Sequence, residues 1–183
     1  VGAIREYTEK IGTVTAYPGS HDFELLEGKL EIGSSMQTMM IRELKARIRD
    51  SYDYLLLDAP PGTGCPVVET IKDADYLILV AEPTLFGFHD FKLMVELVRQ
   101  LNIPFGVVVN KSGDRNTGLY SYIEKEKIEI LAEIPFDKAY ARAYASGDIS
   151  GVFPASFQSA FHALKREIRS KIIQYEGDHY FKW

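Results

Sequence analysis

From residue 52 onward, short apolar runs alternate with longer segments of helical period, and no other feature of the chain restricts its fold so strongly. The runs are Tyr54–Leu57, Tyr76–Val80, Phe105–Val109 and Ile128–Ile134. Each is nearly continuous in apolar character, as strands are when helices cover both faces; a half-exposed strand would alternate apolar with polar residues. Between them, Phe88, Phe91, Met94, Val95, Val98 and Leu101 recur at helical steps before the Asn102-Ile103-Pro104 break. Met36, Met39, Met40, Leu44 and Ile48 form a second such stripe, and Phe157, Phe161, Leu164, Ile168 and Ile172 a third. Strand and helix in regular alternation build βαβ units around a mainly parallel sheet, so an α/β fold with helices on both faces is expected. The Met and Phe stripes are read as core packing. Ahead of this part, Ile11–Tyr17 alternates like a strand, and Phe23–Leu26 and Lys29–Ile32 flank Glu27-Gly28 as a hairpin, which predicts a small antiparallel appendage.

At 183 residues the chain can bury one ordinary core. Its net charge of -5 argues against a general nucleic-acid surface, which needs clustered excess Lys and Arg. The single cysteine, Cys65, can neither close an internal disulfide nor hold a metal cluster by itself. No apolar run approaches the roughly 20 residues of a transmembrane helix, and Val1 to Lys10 lack a signal-peptide layout. A cytoplasmic protein with no transmembrane segment is the expectation.

The residues that can carry chemistry cluster around Tyr54-Leu55-Leu56-Leu57-Asp58-Ala59-Pro60-Pro61-Gly62-Thr63-Gly64. An apolar strand delivering Asp58 at its C-terminal end places one carboxylate where open α/β sheets bind ligands. The loop after it is stiff at its prolines and permissive at Gly62 and Gly64, so backbone N–H groups can approach an anion closely. A phosphate with Mg²⁺ suits that arrangement; a capping aspartate followed by a plain turn is the simpler alternative. Farther on, Phe105-Gly106-Val107-Val108-Val109-Asn110-Lys111 ends a buried strand with an amide that can both donate to and accept from a base edge, or can simply turn the chain. In Ile130-Leu131-Ala132-Glu133-Ile134-Pro135-Phe136-Asp137, Asp137 is placed to cap a helix starting near Lys138. Thr84 and Asp90, in the loop opening the Phe88–Leu101 helix, are weaker candidates for a supporting role. His89 reads as a solvated or packed side chain, and Cys65, followed by Pro66-Val67-Val68, as packed.

Asp58-Ala59-Pro60-Pro61-Gly62-Thr63-Gly64 closely resembles the Walker B and switch II segment of the Mrp/MinD branch of P-loop ATPases, and the Asn110 and Ile134-Pro135 segments match the same MinD/ParA/Mrp family in order and spacing. The resemblance runs from about Gly28 to Gly151. It implies a partial P-loop NTPase domain and ATP with Mg²⁺ as ligands. Asp58 would then hold the metal shell, the Gly62 amide would follow the γ-phosphate within the Pro61-Gly62-Thr63 turn, and Asn110, Pro135, Phe136 and Asp137 would line the adenine pocket. A homodimer closed over nucleotide is also implied.

No G-x-x-x-x-G-K-S/T phosphate loop occurs in the 183 residues. Val1-Gly2-Ala3-Ile4 resembles the residues after the last Cys-Pro of a bacterial ferredoxin motif, and Gly28-Lys29-Leu30-Glu31-Ile32-Gly33 resembles the link that resumes the ATPase in MinD-like proteins with an inserted ferredoxin module. The expectation is therefore a C-terminal half: residues 1–33 as the module's tail and a hairpin link, 34–175 as the rest of the ATPase domain, and 176–183 as a tail. The phosphate loop and a 4Fe-4S cluster belong, on this reading, to an upstream segment. Two other readings remain: a nucleotide-free docking module using the Phe-rich Leu85–Phe91 loop, and an amidoligase or dethiobiotin-synthase kind of enzyme.

Overall fold

The computed structural model describes residues 7–19, 23–49, 53–115, 117–147 and 154–178, with side chains to residue 171 in the last stretch. Val1–Ile4 and residues 179–183 of the tail lie outside them. The chain forms two compact units, Val1–Asp73 and Ala74–Trp183, each described by itself.

In the first unit, β1 (Gly12–Pro18) pairs antiparallel with β2 (Glu24–Leu30), in a register from Gly12 opposite Leu30 to Pro18 opposite Glu24. The expected appendage is present, but its turn is not at Glu27-Gly28. Those residues sit inside β2, because Gly28 has a packing task there. A Cβ on Gly28 would lie 2.8 Å from Leu44 Cδ1 and 2.9 Å from Met40 Sδ, and one on Gly12 would collide with Met40 Cε. The two glycines thus open a notch for Met40 of α1 (Gln37–Lys45), which is buried.

α1 is also bound to α2 (Cys65–Ile71) by charge. The Arg42 guanidinium donates to Glu69 Oε2 at 3.1 Å, Lys72 Nζ lies 2.9 Å from Glu69 Oε1, and Lys45 Nζ donates to the Glu69 carbonyl at 2.8 Å. Glu69 is only 8% exposed, so both carboxylate oxygens need a cationic partner, and both have one. Hydrogen bonds from Arg42 and then Lys72 hold its carboxyl down at about 2.

The expected buried strand Tyr54–Leu57 is not one here. Residues 54–60 make no ladder among the described residues, and Leu56 is 84% exposed. Asp58 therefore lies in an exposed, unpaired segment rather than at the end of a paired strand. Continuous apolarity reports what a side chain prefers, whereas a strand also requires a neighbour that accepts its backbone hydrogen bonds.

The second unit holds the parallel sheet, in the order β3 (Leu77–Ala81), β4 (Phe105–Ser112), β5 (Ile130–Pro135). α3 (Leu85–Gln100) and α4 (Gly118–Lys125) are the crossovers, as short parallel connections require. α3 buries Phe91, Val95 and Val98, the stripe read from the sequence, and α4 buries Leu119 and Ile123. Phe88 and Phe91 meet Tyr122 edge-on at centroid distances of 5.6 and 6.2 Å, which joins the two helices. After α5 (Lys138–Ala145), α6 (Ala155–Asp178) lays Leu164 on the Val108, Leu131 and Ala132 cluster. Leu131 presses so close to Gly106 that a Cβ there would lie 2.6 Å from its Cγ.

Candidate functional site

All strands of the parallel sheet end on one side, and there the second unit gathers its polar groups. Asn110, half-buried near the end of β4, is in register with Ile134, and Ser112 is in register with Pro135. The Phe136 N–H donates to the Ser112 carbonyl at 3.4 Å, carrying the two strand exits on side by side. Asn110, Pro135, Phe136 and Asp137 are thus brought together. Asp137 caps α5, its Oδ1 accepting from the Tyr140 N–H at 2.8 Å, so the side chain is taken up by the helix start. Phe136 is exposed and offers an apolar wall.

The register slips between Asn110 and Ser112, and the intervening Lys111 has φ +53°. A bulge of this kind re-aims the side chains on either side of it. Lys111 Nζ meets Glu82 Oε1, just past β3, at 2.8 Å. On the other flank, Glu133 of β5 accepts from the Tyr120 hydroxyl at 2.6 Å through Oε1 and pairs with Arg115 through Oε2. The guanidinium carbon of Arg115 lies 5.7 Å from the Tyr120 ring centroid. Burial, and next the hydrogen bond to Glu133, pushes the Tyr120 hydroxyl up to about 12. Arg115, Tyr120 and the role of Glu133 were not read from the sequence. A carboxylate inside the apolar run Ile130–Ile134 was the available signal, since it can stay there only with partners.

The first unit holds the other candidates. Asp58, Pro61, Gly62 and Thr63 are all exposed in the segment leading to α2. Gly62 has φ +91°, a left-handed conformation that glycine adopts freely, and a Cβ added there would meet nothing within 4 Å. An open loop with its backbone uncovered and a free carboxylate beside it fits a phosphate–Mg²⁺ group in the chemistry of its donors. Among the described residues no group of three or more His, Cys, Asp and Glu could hold a metal ion, so nothing here fits an iron–sulfur cluster.

Thr84 is occupied as the cap of α3, accepting from the Gly87 N–H at 3.0 Å, while His89 and Asp90 are exposed. Cys65, expected to pack, is exposed at the start of α2, because that short helix turns Val67 and Ile71 inward instead.

A family model described as "AAA domain" matches residues 3–130. Together with the parallel sheet and its strand-end site, this defines the class: an α/β protein of the AAA-domain family. The MinD cell division ATPase of Pyrococcus furiosus superposes with a TM-score of 0.59 at 21% identity, over 73% of this chain and 58% of that one, a likeness of fold. A nucleotide-binding protein of Archaeoglobus fulgidus, solved with ADP, does so with a TM-score of 0.51 at 26% identity, over 67% and 57%. Among curated proteins, an uncharacterized protein of Methanocaldococcus jannaschii is 33% identical over 66% of this chain and 42% of its own length. The iron-sulfur cluster carrier protein of Pyrococcus horikoshii is 27% identical over 77% and 54%. This chain belongs to the MinD/Mrp-type P-loop ATPase family. It spans about two fifths of the length of the first curated relatives it matches, 42% and 39%.

Proposed function

We propose that the protein containing this chain is a cytoplasmic ATP-binding and hydrolysing switch, tied to iron–sulfur chemistry and dimerising over its nucleotide. The observation that carries this reading is the gathering of Asn110 with Pro135 and Phe136 at the C-terminal ends of a parallel sheet, where open α/β folds take their ligands. The Asn110 amide would meet the edge of adenine, with Pro135 and Phe136 shaping the pocket wall and Asp137 holding the start of α5 against it.

In the first unit, Asp58 would hold a water of the Mg²⁺ shell, and the amides of the Pro61-Gly62-Thr63 turn would face the phosphates. Bound Mg²⁺ supplies charge neutralisation at the transferring phosphoryl group. The chain itself contributes position and backbone donors, and the freedom of Gly62 at φ +91° lets the turn follow the terminal phosphate. A phosphate loop is expected in an upstream segment of the same protein, with a 4Fe-4S ferredoxin module whose tail, followed by the hairpin link, makes up residues 1–33. Relatives named as iron-sulfur cluster carriers support the link to such clusters. A second reading, a nucleotide-free docking module, draws on the exposure of Leu85 and Phe86 at the start of α3.

Calorimetry with ATP and Mg²⁺ decides between them. The full-length gene product is expected to bind, and residues 1–183 alone to bind weakly or not at all. In the full-length protein, Asp58→Ala should lower the hydrolysis rate by roughly 100-fold or more, in line with the loss of a charge-organising group, with no change in melting temperature beyond that of a surface substitution. Failure of the full-length protein to bind ATP would leave the docking module standing; turnover untouched by Asp58→Ala would remove Asp58 from its role.

A further inference from the structure

Asn110 by itself cannot choose a base. Its amide carries one donor group and one acceptor, and a half-turn about the side chain exchanges them, so a free amide satisfies the acceptor of guanine as readily as the donor of adenine. Selectivity requires that the amide be held. The backbone around Asn110 is held. Lys111 adopts φ +53°, a left-handed conformation that is uncommon for a non-glycine residue. The register slip between Asn110 and Ser112 is the result.

Two side-chain contacts flank that bulge. Lys111–Glu82 joins groups that are 53% and 34% exposed, and an ion pair so well solvated contributes little. The Glu133 cluster differs in kind. Glu133 is 24% exposed in an otherwise apolar strand, and its two oxygens are taken by different partners, Tyr120 from α4 and Arg115 from the β4–α4 connection. Two partners from different elements converge on that one carboxylate, which ties both to β5, a geometry that the Lys111–Glu82 pair lacks. Arg115 is four residues beyond Lys111, in the connection that follows β4. Arg115 is thus tied to β5, and the Phe136 N–H donates to the Ser112 carbonyl, so two contacts follow the bulge within four residues of Lys111.

We propose that the Arg115–Glu133–Tyr120 cluster is a positioning device that locks the bulge after Asn110 and so makes the site select adenine over guanine nucleotides. None of the three is a catalytic residue. The inference rests on the assignment of Asn110 to the base, and its test separates the two.

The test is steady-state hydrolysis and equilibrium binding of ATP and GTP by the full-length protein carrying Arg115→Ala, Arg115→Lys, Tyr120→Phe, Glu133→Gln or Asn110→Ala. Arg115→Ala should raise KM for ATP about tenfold, as expected for loss of one charge-assisted hydrogen bond. It should narrow the ATP to GTP preference by a similar factor while leaving kcat at saturation unchanged. Arg115→Lys should restore part of the preference, and Tyr120→Phe should weaken it less than Arg115→Ala does. Arg115 is 70% exposed, so its loss should spare the fold, and it carries the test should Glu133→Gln fail to fold. If Asn110→Ala abolishes the preference but Arg115→Ala and Tyr120→Phe leave it intact, the positioning proposal is overturned and the base assignment survives. If Asn110→Ala itself leaves the preference intact, both fall.

Discussion

Gly62 and Lys111 share positive φ in different settings. At Gly62 the conformation is free and the surroundings are open, which suits a turn that must move with its ligand. At Lys111 it coincides with a slip in the register between β4 and β5, where a bulge re-aims the side chains beside it. Tyr120 gives the second environment a measurable mark. Its hydroxyl is raised from 10.0 to about 12, chiefly by burial, so the folded protein favours the protonated form. The stability linked to that proton is fully present below about pH 10.0 and is lost as pH rises from there toward about 12. Ultraviolet difference titration of wild type against Tyr120→Phe should show a phenol ionising well above pH 10.0; ionisation at the ordinary value would mean that the hydroxyl is neither buried nor bonded to Glu133.

At the scale of elements, the decisive contacts are those that make α1, α2 and the β1–β2 hairpin act together. Met40 in the Gly12 and Gly28 notch ties the hairpin to α1, and the Glu69 cluster ties α1 to α2, which begins directly after the Gly62-Thr63-Gly64 turn. The Glu69 carboxyl is lowered from 4.5 to about 2, so its contribution is whole above about pH 4.5 and is lost as pH falls toward about 2. The melting temperatures of wild type and Glu69→Gln should therefore differ near neutrality and converge as the pH is lowered through that window. A constant gap at all pH values would mean that shape, and not charge, is what Glu69 supplies. Helices α3 and α6 were legible beforehand because each must bury one face at a fixed period. The short α4 was not, since its two buried residues, Leu119 and Ile123, are too few to mark a period.

For the whole molecule, the exposed run Tyr54–Leu57 sets the clearest expectation. Leu56→Ser should change the stability of the 183-residue chain by less than about 0.5 kcal/mol, as at any exposed position. In the full-length protein the same change should cost about 2–5 kcal/mol if the run is there a buried strand, as its composition predicts. Urea denaturation of both proteins measures the difference, and a neutral result in both would show that the run is not a core strand in either. Sequence alone determined the α/β class, the parallel strands β3, β4 and β5 and the cap at Asp137, because periodicity and turn chemistry are local properties. Tertiary structure alone decided that Glu27-Gly28 lies within a strand, that Cys65 is exposed, and that Arg115 and Tyr120 meet on Glu133. Each of those depends on which distant group arrives opposite a given residue: Met40 over Gly28, a ladder partner beside a strand, a guanidinium reaching a carboxylate. That pairing is a property of the packed chain, and no local pattern encodes it.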